Sequence, residues 1–539
     1  MPNDTPPPPH PTAEATTFLR EILQRIASGE SSRNDLYPIF KSNLHCLDES
    51  LLYAIPQVFA ELIHNESLEK RRRVALVFVD FADRISEFPL GSRALNLEMS
   101  ITCYELTLDI LTREQFSEDW AQVQNNLAVD YCQRIRGERG ENLERAIAAY
   151  QAALQVRTRE AFPQQWAQTQ NNLGEAYRQR IRGERGENLE QAIAAYQAAL
   201  QIRTREAFPQ QWATTQNNLG NAYLQRIRGE RGENLEQAIA AYQAALQVRT
   251  REEFPQDWAM TQNNLGNAYA DRIRGERGEN LERAIAAYQA ALQVRTREAF
   301  PEKWADTQSN LVSALLEKFK QTESAADLDE AIDALKSAQS STVPGTDGYV
   351  FLHYTLGVAL DYRYSLHHNP ADLEEAITAY RLAADTTPRE GQKATLQEKT
   401  GDSQYQLGVA LTEAGQWYEG LAHLEGSLQS YRQGQNRLAR ADALQQMART
   451  HYLMGNFEKA LLYFRDALRI YQAEANERGE ANCRAGLGRL MLRLNFIDDA
   501  MEEMDKACTL YHQLGDDARL AELQEVYTLA QKIREKQPL

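Results

Sequence analysis

Apolar side chains recur along most of this chain at the spacing of amphipathic helices, and the text that carries them repeats. Trp120, Trp166, Trp212, Trp258 and Trp304 stand 46 residues apart, with nearly identical sequence between them. A fixed period of that length marks stacked supersecondary units. In the unit 163–208, Trp166, Leu173, Tyr177 and Ile181 form one helical stripe. Leu189, Ala192, Ile193, Tyr196, Ala199 and Leu200 form a second, and the polar loop from Arg182 to Asn188 joins them. One hairpin cannot bury both stripes, so neighbouring repeats must cover them.

The boundaries carry their own signals. Pro163 suits the first turn of a helix, where its missing N–H costs nothing, and Phe162 is placed to close over Trp166 as a hydrophobic staple. Asn188 is expected as N-cap of the second helix, with Gly183 and Gly186 freeing the loop before it. Gly174, Ala192 and Ala199 are small where the paired helices would touch, which predicts close approach of their backbones.

The run Asn218-Leu219-Gly220-Asn221-Ala222-Tyr223, followed by Ala238, Tyr242, Ala245 and Pro255, resembles the tetratricopeptide repeat. The unit exceeds that family's usual length of about 34 residues by roughly a dozen, placed in the loop and in a longer second helix. The doublet Asn217-Asn218 in a lengthened unit is similar to kinesin light chain repeats and to the long repeats of cyanobacterial caspase-like (CHAT) fusion proteins. The resemblance implies an all-α, right-handed superhelical solenoid of about ten helix-turn-helix repeats with helical caps.

Units centre on Leu127, Leu173, Leu219, Leu265, Leu311, Leu356, Leu407, Met447 and Leu487, with spacings of 46 four times, then 45, 51, 40 and 40. A degenerate unit precedes them, since Asn96-Leu97-Glu98 and Tyr104 lie 46 residues before their counterparts. The expected organisation is a disordered Pro-rich arm at 1–12, a helical N-terminal cap at 13–65 and a long-repeat array at 66–385. A joint at 386–399, a second array of 40-residue units at 400–516 and a C-terminal capping helix at 517–539 follow.

Composition narrows the function. The 539 residues are 43% hydrophobic and 25% charged, an ordinary balance for a packed protein, and the net charge of −17 argues against a nucleic-acid-binding face. The five cysteines are scattered, and no apolar run approaches the roughly 20 residues that span a bilayer, so a cytoplasmic location without membrane contact is expected. There is no phosphate-binding loop, no paired-His zinc helix and no serine elbow. Gly486-Leu487-Gly488 has no strand before it, and His45-Cys46 and His367-His368 lack further metal partners at usable spacing. No cofactor, metal or catalytic residue is expected. Nothing after the repeats reads as a caspase-like segment, so any such protease would be a separate chain.

Asparagine doublets are the informative exception, because Asn is a poor helix former yet sits mid-helix at Asn125-Asn126, Asn171-Asn172, Asn217-Asn218 and Asn263-Asn264. The resemblance places the first helices along a groove. Asn125, Asn171, Glu175, Arg178, Asn217, Asn221, Asn263 and Asn267 are the candidate peptide-binding residues, forming an amide ladder able to bond both N–H and C=O groups. A structural role, with asparagines bonding the neighbouring repeat, stands beside that reading. Arg134, Arg136 and Arg139 recur with Glu138 and Glu141, which reads as a self-neutralised edge. The expectation is a non-enzymatic scaffold that holds a protein or peptide partner. The alternative is a regulatory or sensor subunit of a separate effector, such as a CHAT-type protease or an NTPase.

Overall fold

A computed structural model describes residues 11–339, 342 and 344–536. The arm expected at 1–12 lies outside these, apart from its last two residues, and Thr12 caps the first helix by accepting the Ala15 N–H at 3.1 Å. The described residues form 24 α-helices and one short 3-10 helix, with no strand among them. They belong to two compact units, Met1–Val294 and Arg295–Leu539.

In the first unit α1 (Ala13–Ala27), α2 (Arg33–Ser42) and α3 (Glu49–Ile63) precede five helical hairpins. These pair α4 (Leu68–Glu87) with α5 (Arg93–Thr107), α6 (Ser117–Gln133) with α7 (Arg139–Leu154), α8 (Pro163–Gln179) with α9 (Arg185–Leu200), α10 (Pro209–Gln225) with α11 (Arg231–Leu246), and α12 (Pro255–Ala270) with α13 (Arg277–Leu292). The second unit holds five more: α14 (Pro301–Thr322) with α15 (Ala325–Ala338), α16 (Asp347–His367) with α17 (Pro370–Thr386), α18 (Glu390–Glu413) with α19 (Trp417–Gly434), α20 (Arg437–Leu453) with α21 (Phe457–Ala473), and α22 (Glu477–Arg493) with α23 (Ile497–Gln513). α24 (Asp517–Lys536) packs on α23.

Four long-repeat hairpins, α8–α9, α10–α11, α12–α13 and α16–α17, close on a ring and a glycine. Tyr196 of α9 is fully buried against Gly174 of α8, and Tyr242 and Tyr288 lie in the same way on Gly220 and Gly266. A Cβ built on those glycines would meet the rings at 2.8, 2.6 and 2.5 Å, well inside contact distance. In α18 and α19 the glycines let backbone meet backbone, a Cβ on Gly408 standing 2.9 Å from the Gly420 carbonyl. Around these contacts Leu189, Ala192, Ala199 and their repeats are completely buried.

Helix entry follows the sequence, with Phe162 at the N-cap of α8 and Pro163 in its first turn. Two expectations are corrected. Asn188 is not an N-cap: α9 starts at Arg185 with Glu184 as its cap, and the Asn188 amide instead ties the loop by donating to the Arg182 carbonyl at 2.9 Å. Gly183, at φ +82, supplies the left-handed turn that this loop needs. Ile181 does not extend the stripe of α8, because the helix ends at Gln179 and Ile181 is 64% exposed.

Residues 386–399, expected as a joint, contain only three residues outside a helix, 387–389. Pro388 precedes the first turn of α18 and so interrupts no helical hydrogen bond, and α18 buries Leu396 and Thr400. The two compact units divide between Val294 and Arg295, not there.

Gly220→Ala should therefore cost about 1–3 kcal/mol, the usual penalty for overpacking. Gly278→Ala, where an added Cβ meets nothing within 4 Å, should stay within about 0.5 kcal/mol of the parent. Chemical denaturation of the two variants measures the contrast, and equal losses would count against the ring contact.

Candidate functional site

The first asparagine of each doublet is inside the structure. Asn125, Asn171, Asn217 and Asn263 are all buried. Three of these oxygens face the next repeat: Asn125 Oδ1 accepts from Thr169 Oγ1 at 3.0 Å, Asn171 Oδ1 from Asn218 Nδ2 at 3.4 Å, and Asn217 Oδ1 from Asn264 Nδ2 at 3.2 Å. Asn125 and Asn171 also donate to the second asparagine of their own doublet. The second asparagine therefore carries the chain of amides from one repeat to the next. The ladder exists, but it runs between repeats within the protein.

The other candidates serve the tyrosines. Tyr196, Tyr242 and Tyr288 donate their hydroxyls to Glu175, Asn221 and Asn267 at 2.9, 2.8 and 2.8 Å. A buried phenol needs an acceptor, and this position provides it. The same bond recurs from Tyr104 to Asp83, from Tyr380 to Asp361 and from Tyr431 to Asp402. Arg178 closes a two-pronged ion pair on Glu175 at 2.6 and 2.9 Å. Burial by itself would raise the Glu175 carboxyl, but the bonds and charge of Arg178, with the bonds from Gln179 and Tyr196, together outweigh it and hold it below the usual carboxylate range.

The arginine edge is neutralised in part, since Arg139 and Arg185 donate to backbone carbonyls and to Gln179 and Gln225. Arg134, Arg180, Arg226 and Arg272 each grip the glutamate 36 residues earlier, Glu98, Glu144, Glu190 and Glu236, through two N–H groups. Sequence reasoning missed a different arginine row. Arg157, Arg203 and Arg249 follow the second helices, and their side chains run inward to the first helices, donating to Thr169, Thr215 and Thr261 at 3.1, 3.1 and 3.0 Å. Burial depresses all three guanidinium pKa values, that of Arg157 to about 10. Their recurrence at 46 residues, each just after Val or Ile, was the available signal.

Two clefts open beside this row, between successive first helices. One of about 380 Å³ lies between α8 and α10, lined by Gln165, Gln168, Arg203 and Gln211 among others. Another of about 330 Å³ reaches α12 and is bordered by Asn171, Asn172, Arg203, Arg249 and Asp257. A third, of about 620 Å³, lies nearer the N-terminus, with Asp83, Asn126 and Asp130 in its wall.

Tetratricopeptide-repeat family models match residues 212–254, 258–298 and 399–473. The chain carries tetratricopeptide repeats. Among solved structures it is similar to the C-terminal part of a TPR repeat-containing protein from Cytophaga hutchinsonii, at 13% identity and a TM-score of 0.34, over 56% of this chain and 93% of that one. No curated protein matches.

Outside the tetratricopeptide hairpins, His45 gains a partner that its sequence neighbours did not suggest. Glu14, His45 and Cys46 bring their donor atoms within 4.8 Å of one another. His45 Nε2 and Glu14 Oε1 are 3.2 Å apart on the surface, while burial raises the Cys46 thiol above its usual range. A metal ion there would have three protein donors and would have to displace the thiol proton.

The tetratricopeptide core has one pronounced acid response. Asp130 is almost wholly buried and accepts from Ser100, and burial lifts its carboxyl to about 7. Asp83, in the same cleft wall, is raised by the same cause. A carboxyl near 4 when unfolded and near 7 when folded holds its proton more tightly in the folded state, so stability is lost as pH rises through that window. Asp130→Asn should melt above the parent at pH 8 and close to it at pH 5, as followed by circular dichroism; an equal offset at both would exclude Asp130 as the source.

Proposed function

We propose that this chain is a non-enzymatic scaffold that binds an extended segment of a partner protein along the face formed by the first helices α6, α8, α10 and α12. The observation that carries the reading is the pair of clefts between successive first helices, walled by amide and guanidinium side chains. Packed helices stand about 8–10 Å apart and an extended chain advances about 3.3 Å per residue. A bound segment would thus present roughly every third residue to a new repeat. Tetratricopeptide repeats generally serve protein–protein interaction, and the matched segments fall in both compact units.

Within this reading the buried asparagines shape the face and the exposed glutamines read the partner. Asn171, Asn217 and Asn263 changed together to Ala should lower stability by about 1–3 kcal/mol per site, because their neighbours lose buried partners. Gln168→Ala with Gln211→Ala, both exposed, should leave the melting temperature unchanged and weaken binding. The measurement is crosslinked affinity capture from the native cell, then titration calorimetry of the captured partner against both variants. Unchanged affinity for the glutamine variant would exclude this face.

A further inference from the structure

Two elements that precede the first hairpin bring together an oxygen, a nitrogen and a sulfur donor. Glu14 sits in the first turn of α1, and His45 and Cys46 sit in the short 3-10 helix Leu44–Cys46 between α2 and α3. The two places are held against each other by packing that does not involve the donors. Thr12 donates its N–H to Ser50 Oγ at 2.6 Å, and Leu19 and Ile22 of α1 are fully buried, as are Leu51 and Ile55 of α3, on which α1 packs. The cluster is thus a product of the folded cap, since Glu14 and His45 stand 31 residues apart in the chain.

The third donor separates this group from a surface ion pair. Glu14 Oε1 and His45 Nε2 lie 3.2 Å apart at exposed positions, Cys46 beside them is buried, and all three donor atoms fall within 4.8 Å of one another. Zinc bonds of about 2.0–2.3 Å place tetrahedral ligands about 3.3–3.8 Å apart, so closing the set on an ion asks the side chains to move by about 1 Å. Two of the donors, a carboxylate and a thiolate, are anionic when bound and together match the charge of a divalent cation. Asp48 adds negative charge close enough to act on the Cys46 thiol, while its Oδ1 caps α3 by accepting from the Ser50 and Leu51 N–H groups. The chain has 76 acidic residues and 9 histidines, yet among the described residues this is the one group of three such donors to come together.

We infer that Glu14, His45 and Cys46 bind one zinc ion, with water in the fourth position. A mixed oxygen, nitrogen and sulfur set suits a borderline-soft cation, whereas calcium and magnesium prefer oxygen ligands throughout. Binding replaces the S–H bond of Cys46 with a sulfur–zinc bond and gives the proton to solvent, with no change of oxidation state. The ion ties the first turn of α1 to the 3-10 helix and so closes the N-terminal cap against which α4 and α5 pack.

The test uses the full chain, freed of metal with a chelator. Equilibrium dialysis against zinc chloride should load one ion per chain. Cobalt, which keeps the tetrahedral geometry, should give a sulfur-to-metal charge-transfer band in the near ultraviolet, and Cys46→Ser should abolish it. Glu14→Gln and His45→Gln, both at exposed positions, should each weaken zinc by about tenfold or more, at least the loss that follows removal of a ligand's supporting partner. Cys508→Ser, in the other compact unit, should match the parent. Thermal melts in chelator confirm that each variant is folded. Failure to load one zinc ion per chain, or absence of the cobalt band, would overturn the inference. A band that survives Cys46→Ser, or zinc affinity unchanged in either Glu14→Gln or His45→Gln, would overturn it as well, and the peptide-binding face would stand in each case.

Discussion

The hairpins α8–α9, α10–α11, α12–α13 and α16–α17 depend on one contact, the tyrosine ring of the second helix lying on a glycine of the first. It sets the separation of the two helices, because no side chain stands between ring and backbone. It also buries a phenol, which then requires an acceptor on the first helix. Glu175, Asn221 and Asn267 meet that demand in three successive repeats, and Asp83, Asp361 and Asp402 meet it elsewhere. The polar residues along the first helices are thereby partly explained as partners of tyrosine.

A second constraint follows from stacking. Successive first helices bring asparagine against asparagine, and a buried amide must be paired or pay its desolvation. The doublet solves this by dividing the work: the first residue is buried and accepts, and the second donates across to it from the next repeat. Poor helix propensity is offset by bonds that no other residue type of that size would make. These bonds couple each repeat to its neighbour, and nearest-neighbour coupling of this kind is what makes a stack of hairpins cooperative.

What is left over after these internal bonds defines the binding chemistry. Arg134, Arg180, Arg226 and Arg272 are consumed by glutamates, ladder asparagines by each other and groove carboxylates by tyrosines. The glutamines of α8 and α10 and the Arg203 guanidinium are among the polar groups of the described residues that border open clefts without being used up in this way. Function is therefore better sought in the residues the packing does not use than in the residues that repeat most conspicuously.

The sequence by itself determined the helices, their pairing and the number of hairpins, because a 46-residue period with two apolar stripes admits only stacked hairpins. Pro163 at the helix start and Gly174 at the closest approach were legible for the same reason, each being a local requirement of backbone geometry. Only the tertiary structure decided the direction in which polar side chains point. Asn171 and Gln168 sit on the same helix three residues apart, and one is buried in the next repeat while the other is exposed. Likewise Arg180 and Arg203 are both repeat-conserved within this chain, yet one finds Glu144 and the other finds no carboxylate. Periodicity fixes which residues share a face, but partner choice depends on distances between repeats that no spacing along the chain records.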